Sequence, residues 1–156
     1  MKPNSTVKEQ SLNPQPSVRS KPQSETCETL LDDRVCAALH AASEKKAIDP
    51  VVLDLREIAS FTDHFVIVSG ANERQVQAIS DEIYEQLKKA GETAARVEGY
   101  KTAEWILLDY GDFVVHVFEQ KARKFYDLER LWRESKRVEL PAEFRDEAPS
   151  SLRTES

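Results

Sequence analysis

The stretch EWILLDYGDFVVHVFEQ, residues 104–120, constrains the fold of this chain more than any other. Gly111-Asp112 separates two apolar runs, a hairpin signal with the usual turn residues in reversed order. Successive side chains of a strand point to opposite faces. Trp105, Leu107 and Asp109 therefore oppose Ile106, Leu108 and Tyr110, while Phe113, Val115 and Val117 oppose Val114, His116 and Phe118. Both faces are largely apolar. A hairpin with one wet face alternates apolar and polar residues, and strands buried on both faces read as this one does.

The flanking periodicities supply candidates for that cover. Leu31, Val35, Ala38, Leu39 and Ala42 fall at helical spacing and predict a helix over 29–46. Asp49-Pro50 reads as a turn into a strand over 51–55, and FVIVSG, 65–70, as a second strand. Asn72 with Gln75 three residues on makes a capping box. Val76, Ile79, Ile83 and Leu87 form the stripe of the helix it opens, and Gly91 closes that helix. AARVEG is a short strand; residues 121–135 predict a last helix with Phe125, Leu128, Leu131 and Trp132 on one side. The order α-β-β-α-β-β-β-α gives an α/β class chain, a mixed five-stranded sheet flanked by about three helices. Three helices cover one face of such a sheet and part of the other, which leaves apolar surface near the hairpin. A soluble monomer rarely exposes such a patch without a partner. Complete cover by the helices stays equally open on pattern alone.

The ends differ from this body. Residues 1–26 hold four prolines and few apolar side chains, too few to offset the entropy of ordering. They read as a disordered extension, 27–137 as the folded domain, and 138–156 as a flexible acidic tail. Net charge is −6, spread unevenly: residues 49–119 carry six Lys/Arg against fourteen Asp/Glu, and residues 120–137 carry seven against three. An acidic body repels phosphates and suits a basic protein surface, so no direct sequence-specific nucleic-acid binding is expected. No run approaches the roughly 18 to 20 apolar residues of a membrane-spanning helix, and no membrane partner is expected. The N-terminus lacks the apolar core of a secretory signal and the arginine-rich pattern of a transit peptide. The expected location is the cytoplasm, with an organelle stroma or matrix as the alternative. Cys27 and Cys36 match no metal or redox spacing and read as reduced thiols, Cys36 as a small apolar group beside Val35 and Leu39.

Catalytic motifs are weak. Ser69-Gly70 leads from a strand to a helix N-terminus, where a phosphate can bind with help from Arg74, but one glycine more often marks a plain turn. Asp109 and Asp112 form D-x-x-D, whereas a two-ion transferase wants carboxylates on one strand face. His40, His64 and His116 lie in different elements without metal spacing, and His116 reads as a hydrogen-bonded core or rim histidine. Thr62 and Asp63 read as turn residues whose side chains bond nearby backbone donors. Trp105 suits a core anchor and an interface anchor equally, since tryptophan is enriched at binding hot spots. No catalytic residue, metal site or cofactor is expected.

Three segments, SFTDHFVIVSGANERQVQAI, VEGYKTAEWILLDYGDFVVHVF and RKFYDLERLW, resemble in order and spacing the ribosomal silencing factor family, also called Iojap, over about residues 30–132. The resemblance implies a nucleotidyltransferase-like mixed sheet without the transferase active site. It also implies a translational repressor rather than an enzyme. The implied partner is the large ribosomal subunit, met through ribosomal protein uL14, number fourteen of the large-subunit set. Occupying that protein blocks subunit joining and lowers translation when nutrients are scarce; several members form homodimers. Carried over by position, Trp105 is the implied apolar anchor. Glu98, Gly99, Tyr100 and Asp109 are the implied polar rim, and Arg123 and Tyr126 match family positions on the last helix. The alternatives are a nucleotidyl or phosphoryl transferase using Ser69-Gly70 and the two aspartates, and a dimeric adaptor with no ribosomal role.

Overall fold

The apolar periodicities become elements close to where they predict them. The computed structural model describes Cys27 and residues 31–144; the expected extension 1–26 and the end of the expected tail, 145–156, lie outside the described residues. Helix α1 is Asp33–Glu44, strand β1 Ile48–Asp54, β2 His64–Gly70, helix α2 Glu73–Lys89, β3 Arg96–Glu98, β4 Trp105–Asp109 and β5 Phe113–Glu119. Helix α3 is Gln120–Tyr126, α4 Leu128–Leu131 and β6 Lys136–Val138, followed by a 3-10 turn at Ala142–Phe144. The class is mixed α/β as expected, with six strands rather than about five, in the order β3-β4-β5-β2-β1-β6. The central pair β2 and β5 is parallel, and the other neighbours are antiparallel.

Local chemistry explains the boundaries. Asp32 caps α1, its carboxylate accepting from the Arg34 N–H at 2.7 Å, so the helix starts later than the apolar spacing alone implies. Asn72 Oδ1 accepts from the Gln75 N–H at 2.9 Å, while Gln75 Oε1 takes the N–H of Ala71, one residue before the cap. Asp49-Pro50 is a bulge inside β1 and not a turn before it: the register shifts between Ile48 and Val51, and Asp49 has φ +50°. The last helix does not run over 121–135. Asp127 takes a left-handed φ of +49° and splits it into α3 and α4. Its four apolar residues therefore do not share a side: Leu128 is buried, whereas Phe125 is 80% and Leu131 71% exposed.

Two further expectations are corrected. Residues 138–144 do not belong to a loose tail, because Val138 pairs with Val52 and the side chains of Leu140 and Phe144 are buried. Cys27 and Cys36 are not free thiols; they form a disulfide, Cα atoms 5.7 Å apart, within the main core. The cross-link fastens the segment before α1 to that helix and limits the freedom of the unfolded chain.

The sheet has two unequal faces. On one, Val52, Val66, Val68, Ile106, Leu108, Val115 and Val117 pack against Val35 and Leu39 of α1 and the full stripe Val76, Ile79, Ile83 and Leu87 of α2. On the other, Val51, Leu53, Phe65, Ile67, Val114 and Phe118 meet, among the described residues, Leu55 and the short elements bearing Ala122 and Leu128, with Ala59, Trp105, Leu107 and Trp132 partly buried at the margin. Asp112 anchors the hairpin tip: its carbonyl accepts from the Asp63 N–H at 2.8 Å and its carboxylate from Arg34 at 2.9 Å.

Candidate functional site

The thinly covered face carries an aromatic array. Phe61, Trp132, Phe65, His116, Trp105, Tyr126 and Phe125 run in sequence across it, each ring centroid between 4.4 and 5.9 Å from the next. The rings come from the β1–β2 loop, β2, β4, β5, α3 and the end of α4. Aromatic rings meeting edge to face or tilted at these distances pack favourably. Both ends stand in solvent: Phe61 is 60% exposed, and Phe125 and Tyr126 are 80% and 46% exposed. Short α3 and α4 therefore leave open what α1 and α2 close on the opposite side. The surface left over near the hairpin was expected; its extent was not, because Phe61, Phe65, Phe125 and Trp132 come from segments far apart in the chain.

Trp105 lies within this run, partly buried, at the start of β4. Its ring stacks on Phe118 at 4.9 Å, directly across the β4–β5 ladder, and meets Tyr126 at 4.8 Å. Its indole N–H donates to His116 Nδ1 at 3.1 Å. His116 is a hydrogen-bonded core histidine, as its strand setting predicts, and burial pushes its pKa down to about 3. The body of Trp105 thus extends the core, while its outer part remains accessible.

The other predicted residues divide. Tyr126 lies beside Trp105. Asp109 shares the Trp105 strand face, where its carboxylate accepts from the Gly111 N–H at 2.9 Å and from Arg96 at 3.4 Å. Gly99, at φ +81°, passes so close to the Trp105 carbonyl that a Cβ there would lie 2.1 Å from the oxygen, so a side chain at 99 would displace the start of β4. Glu98 is exposed on edge strand β3 and pairs with Arg96 at 3.5 Å. Tyr100 turns toward α2: its hydroxyl donates to Asp81 at 2.9 Å, and that bond raises its pKa. Arg123 points inward. It donates to Ser69 Oγ at 2.8 Å and grips Glu129 with two bonds of 3.1 and 3.2 Å, its side chain 11% exposed.

Little here is arranged for phosphate or metal chemistry. The Ser69 hydroxyl is occupied by Arg123, and a Cβ on Gly70 would meet Val76 at 3.0 Å. Arg74 is exposed. Asp109 and Asp112 are drawn apart, one to Arg96 on β3 and the other to Arg34 on α1. Among the described residues no cluster of three His, Cys, Asp or Glu side chains could hold a metal ion. An open groove beside Arg123 brings Lys121, Lys124 and Arg137 together with Asp49, Asp127, Glu129 and Glu139, a balanced set rather than an anion site. Thr62 does not fix its turn through its side chain as expected; Oγ1 is buried without a hydrogen-bond partner.

Comparison with known proteins gives one consistent result. Residues 28–156 match the family described as "Ribosomal silencing factor during starvation". A ribosomal silencing factor of Halalkalibacterium halodurans is 43% identical over 103 residues, covering 66% of this chain and 88% of that protein. A mouse protein named for mitochondrial assembly of the ribosomal large subunit is 30% identical over 92 residues, 57% of this chain and 40% of its own. A crystal structure from Bacillus halodurans, 40% identical, superposes with a TM-score of 0.64 over 70% of this chain and all of that one.

Proposed function

The chain belongs to the ribosomal silencing factor family, and from that premise we propose that it represses translation by docking on the large ribosomal subunit through protein uL14 and barring the small subunit from joining. The observation that carries this reading is the aromatic array around Trp105, a face that the chain's own helices leave half covered. Repression by occupancy needs a surface and no turnover. Trp105 and Tyr126 form the apolar centre of the contact, with Phe125 and Phe61 extending it. Glu98 and Asp109 form an acidic rim; Gly99 shapes the start of β4, and Tyr100 fixes the adjoining loop on α2. Arg123 acts from behind, by holding α3 to the sheet.

Charge supports a basic protein partner. The region 49–119, which supplies β2 to β5 and all but the first residue of β1, carries eight more acidic than basic residues, and a field of that sign speeds encounter with ribosomal protein while disfavouring bare RNA. Without a partner, the same face meets a second copy, so the resting state is a homodimer that the ribosomal protein competes with. The setting is the cytoplasm under nutrient limitation, or an organelle matrix for a chain of similar kind. No described helix is long and apolar enough to cross a membrane.

The test is direct binding. Immobilised uL14 should capture the protein in a saturable one-to-one complex whose association slows as salt rises, as for oppositely charged partners. No capture at micromolar concentration would remove uL14 as the receptor.

A further inference from the structure

We propose that His116 is the positioning residue for docking: by accepting the Trp105 indole N–H it holds that ring in one orientation before the partner arrives. This inference rests on the reading of Trp105 as the anchor and assigns the side chain that prepares it. Trp105 pairs with Phe118 across the ladder and Leu107 with His116, so the indole and the imidazole are diagonal neighbours on one face, within reach of long aromatic side chains. The N–H to Nδ1 distance is 3.1 Å. Phe118 and Tyr126 restrict the ring plane at 4.9 and 4.8 Å, but neither stops the indole from turning over; the hydrogen bond does.

The imidazole is itself fixed. It is buried, and the Phe65 ring meets it at 4.4 Å and 69°. Because Nδ1 accepts, the ring proton sits on Nε2. Nε2 is buried and has no hydrogen-bond partner. A buried donor left unpaired is a standing cost that an apolar side chain of similar size would avoid between Phe65 and Phe118. The aromatic contact with Phe65 would suit any flat ring, and the polar feature that favours histidine in these apolar surroundings is the acceptor offered to Trp105. Burial keeps the ring neutral at physiological pH, so the acceptor is always present. An anchor already held in its bound rotamer loses less freedom on association.

The test compares His116→Leu, which removes the acceptor at similar volume, His116→Asn, whose Oδ1 stands near the Nδ1 position, and Trp105→Ala. Two readouts are taken: hydrogen exchange at the Trp105 indole N–H by NMR, and affinity for purified large subunits. In the unaltered protein the indole N–H is protected. His116→Leu exposes it to exchange and weakens binding about tenfold, while His116→Asn restores both. A folded His116→Leu that binds as tightly as the unaltered protein, while Trp105→Ala binds weakly, overturns the positioning role and leaves the docking face standing. If Trp105→Ala also binds normally, the docking reading itself fails. Should His116→Leu not fold, rapid indole exchange in the unaltered protein overturns the proposal.

Discussion

If Trp105 is the anchor proposed above, Trp105→Ala is expected to lower affinity for the large ribosomal subunit by about thirtyfold or more, the effect of removing an interface residue worth ~2 kcal/mol or above. Tryptophans with this effect sit inside an interface, with their surroundings excluding water, and Trp105 is the fifth of seven rings in a run that ends in solvent on both sides. The substitution also reaches inward. It deletes the contacts with Phe118 and Tyr126 and leaves His116 Nδ1 without its donor, so the variant folds but loses about 1–3 kcal/mol of stability. A control separates the two effects. Ile83→Val, on the helix that covers the opposite face, loses about 1 kcal/mol and binds normally. Equal binding by Trp105→Ala and the unaltered protein, measured by co-sedimentation with large subunits, would remove Trp105 from the contact.

Arg123→Met has its large effect on stability. The Arg123 guanidinium bridges Ser69 on β2 and Glu129 on α4, which lie on either side of the left-handed break at Asp127 and the short helix before it. Its removal leaves the buried Ser69 hydroxyl unpaired and leaves Glu129 with Arg137 alone at 3.2 Å. Losing one partner of a buried pair costs 3–5 kcal/mol in general; Glu129 keeps some solvent and a second arginine, which lowers the expected loss to about 2–3 kcal/mol. For a domain of this size the melting temperature falls by roughly 10 °C. Lysine at 123 does not rescue it, because a single ammonium cannot grip both carboxylate oxygens and the hydroxyl together. A melt within about 2 °C of the unaltered protein would show that the bridge is not what holds α3 against the sheet. The loss matters for docking because α3 carries Phe125 and Tyr126 to the face.

Much of this architecture is legible in the chain because periodicity reports burial. Val76, Ile79, Ile83 and Leu87 are spaced as a helix stripe, and every one is fully buried. The alternation through 105–110 sorts Ile106 and Leu108 onto one face and Trp105 and Leu107 onto the other, as they are found. What escaped depends on single backbone angles or on distant pairing. Asp127 sits in a run whose apolar spacing continues as if helical, and nothing in that spacing reports a left-handed residue. Strand β6 is three residues long, two of them basic, and gains its place only by pairing with β1. A spacing of nine between Cys27 and Cys36 belongs to no recurrent motif, so the disulfide was not visible. At the site, Trp105 stood out as a lone indole beside a hairpin, but the array around it did not. His116 reads from its setting as a core or rim histidine, and its bond to Trp105 depends on strand register, which the residue pattern leaves unspecified.

Under the proposed function, occupancy of the large subunit excludes the small one. The most direct measurement incubates purified large subunits with the protein, adds small subunits under conditions that allow joining, and separates the particles on a sucrose gradient. Fewer joined ribosomes are expected as the protein is added, with the protein sedimenting alongside free large subunits and not with joined ones. Undiminished joining at saturating protein, or protein riding on joined ribosomes, contradicts it.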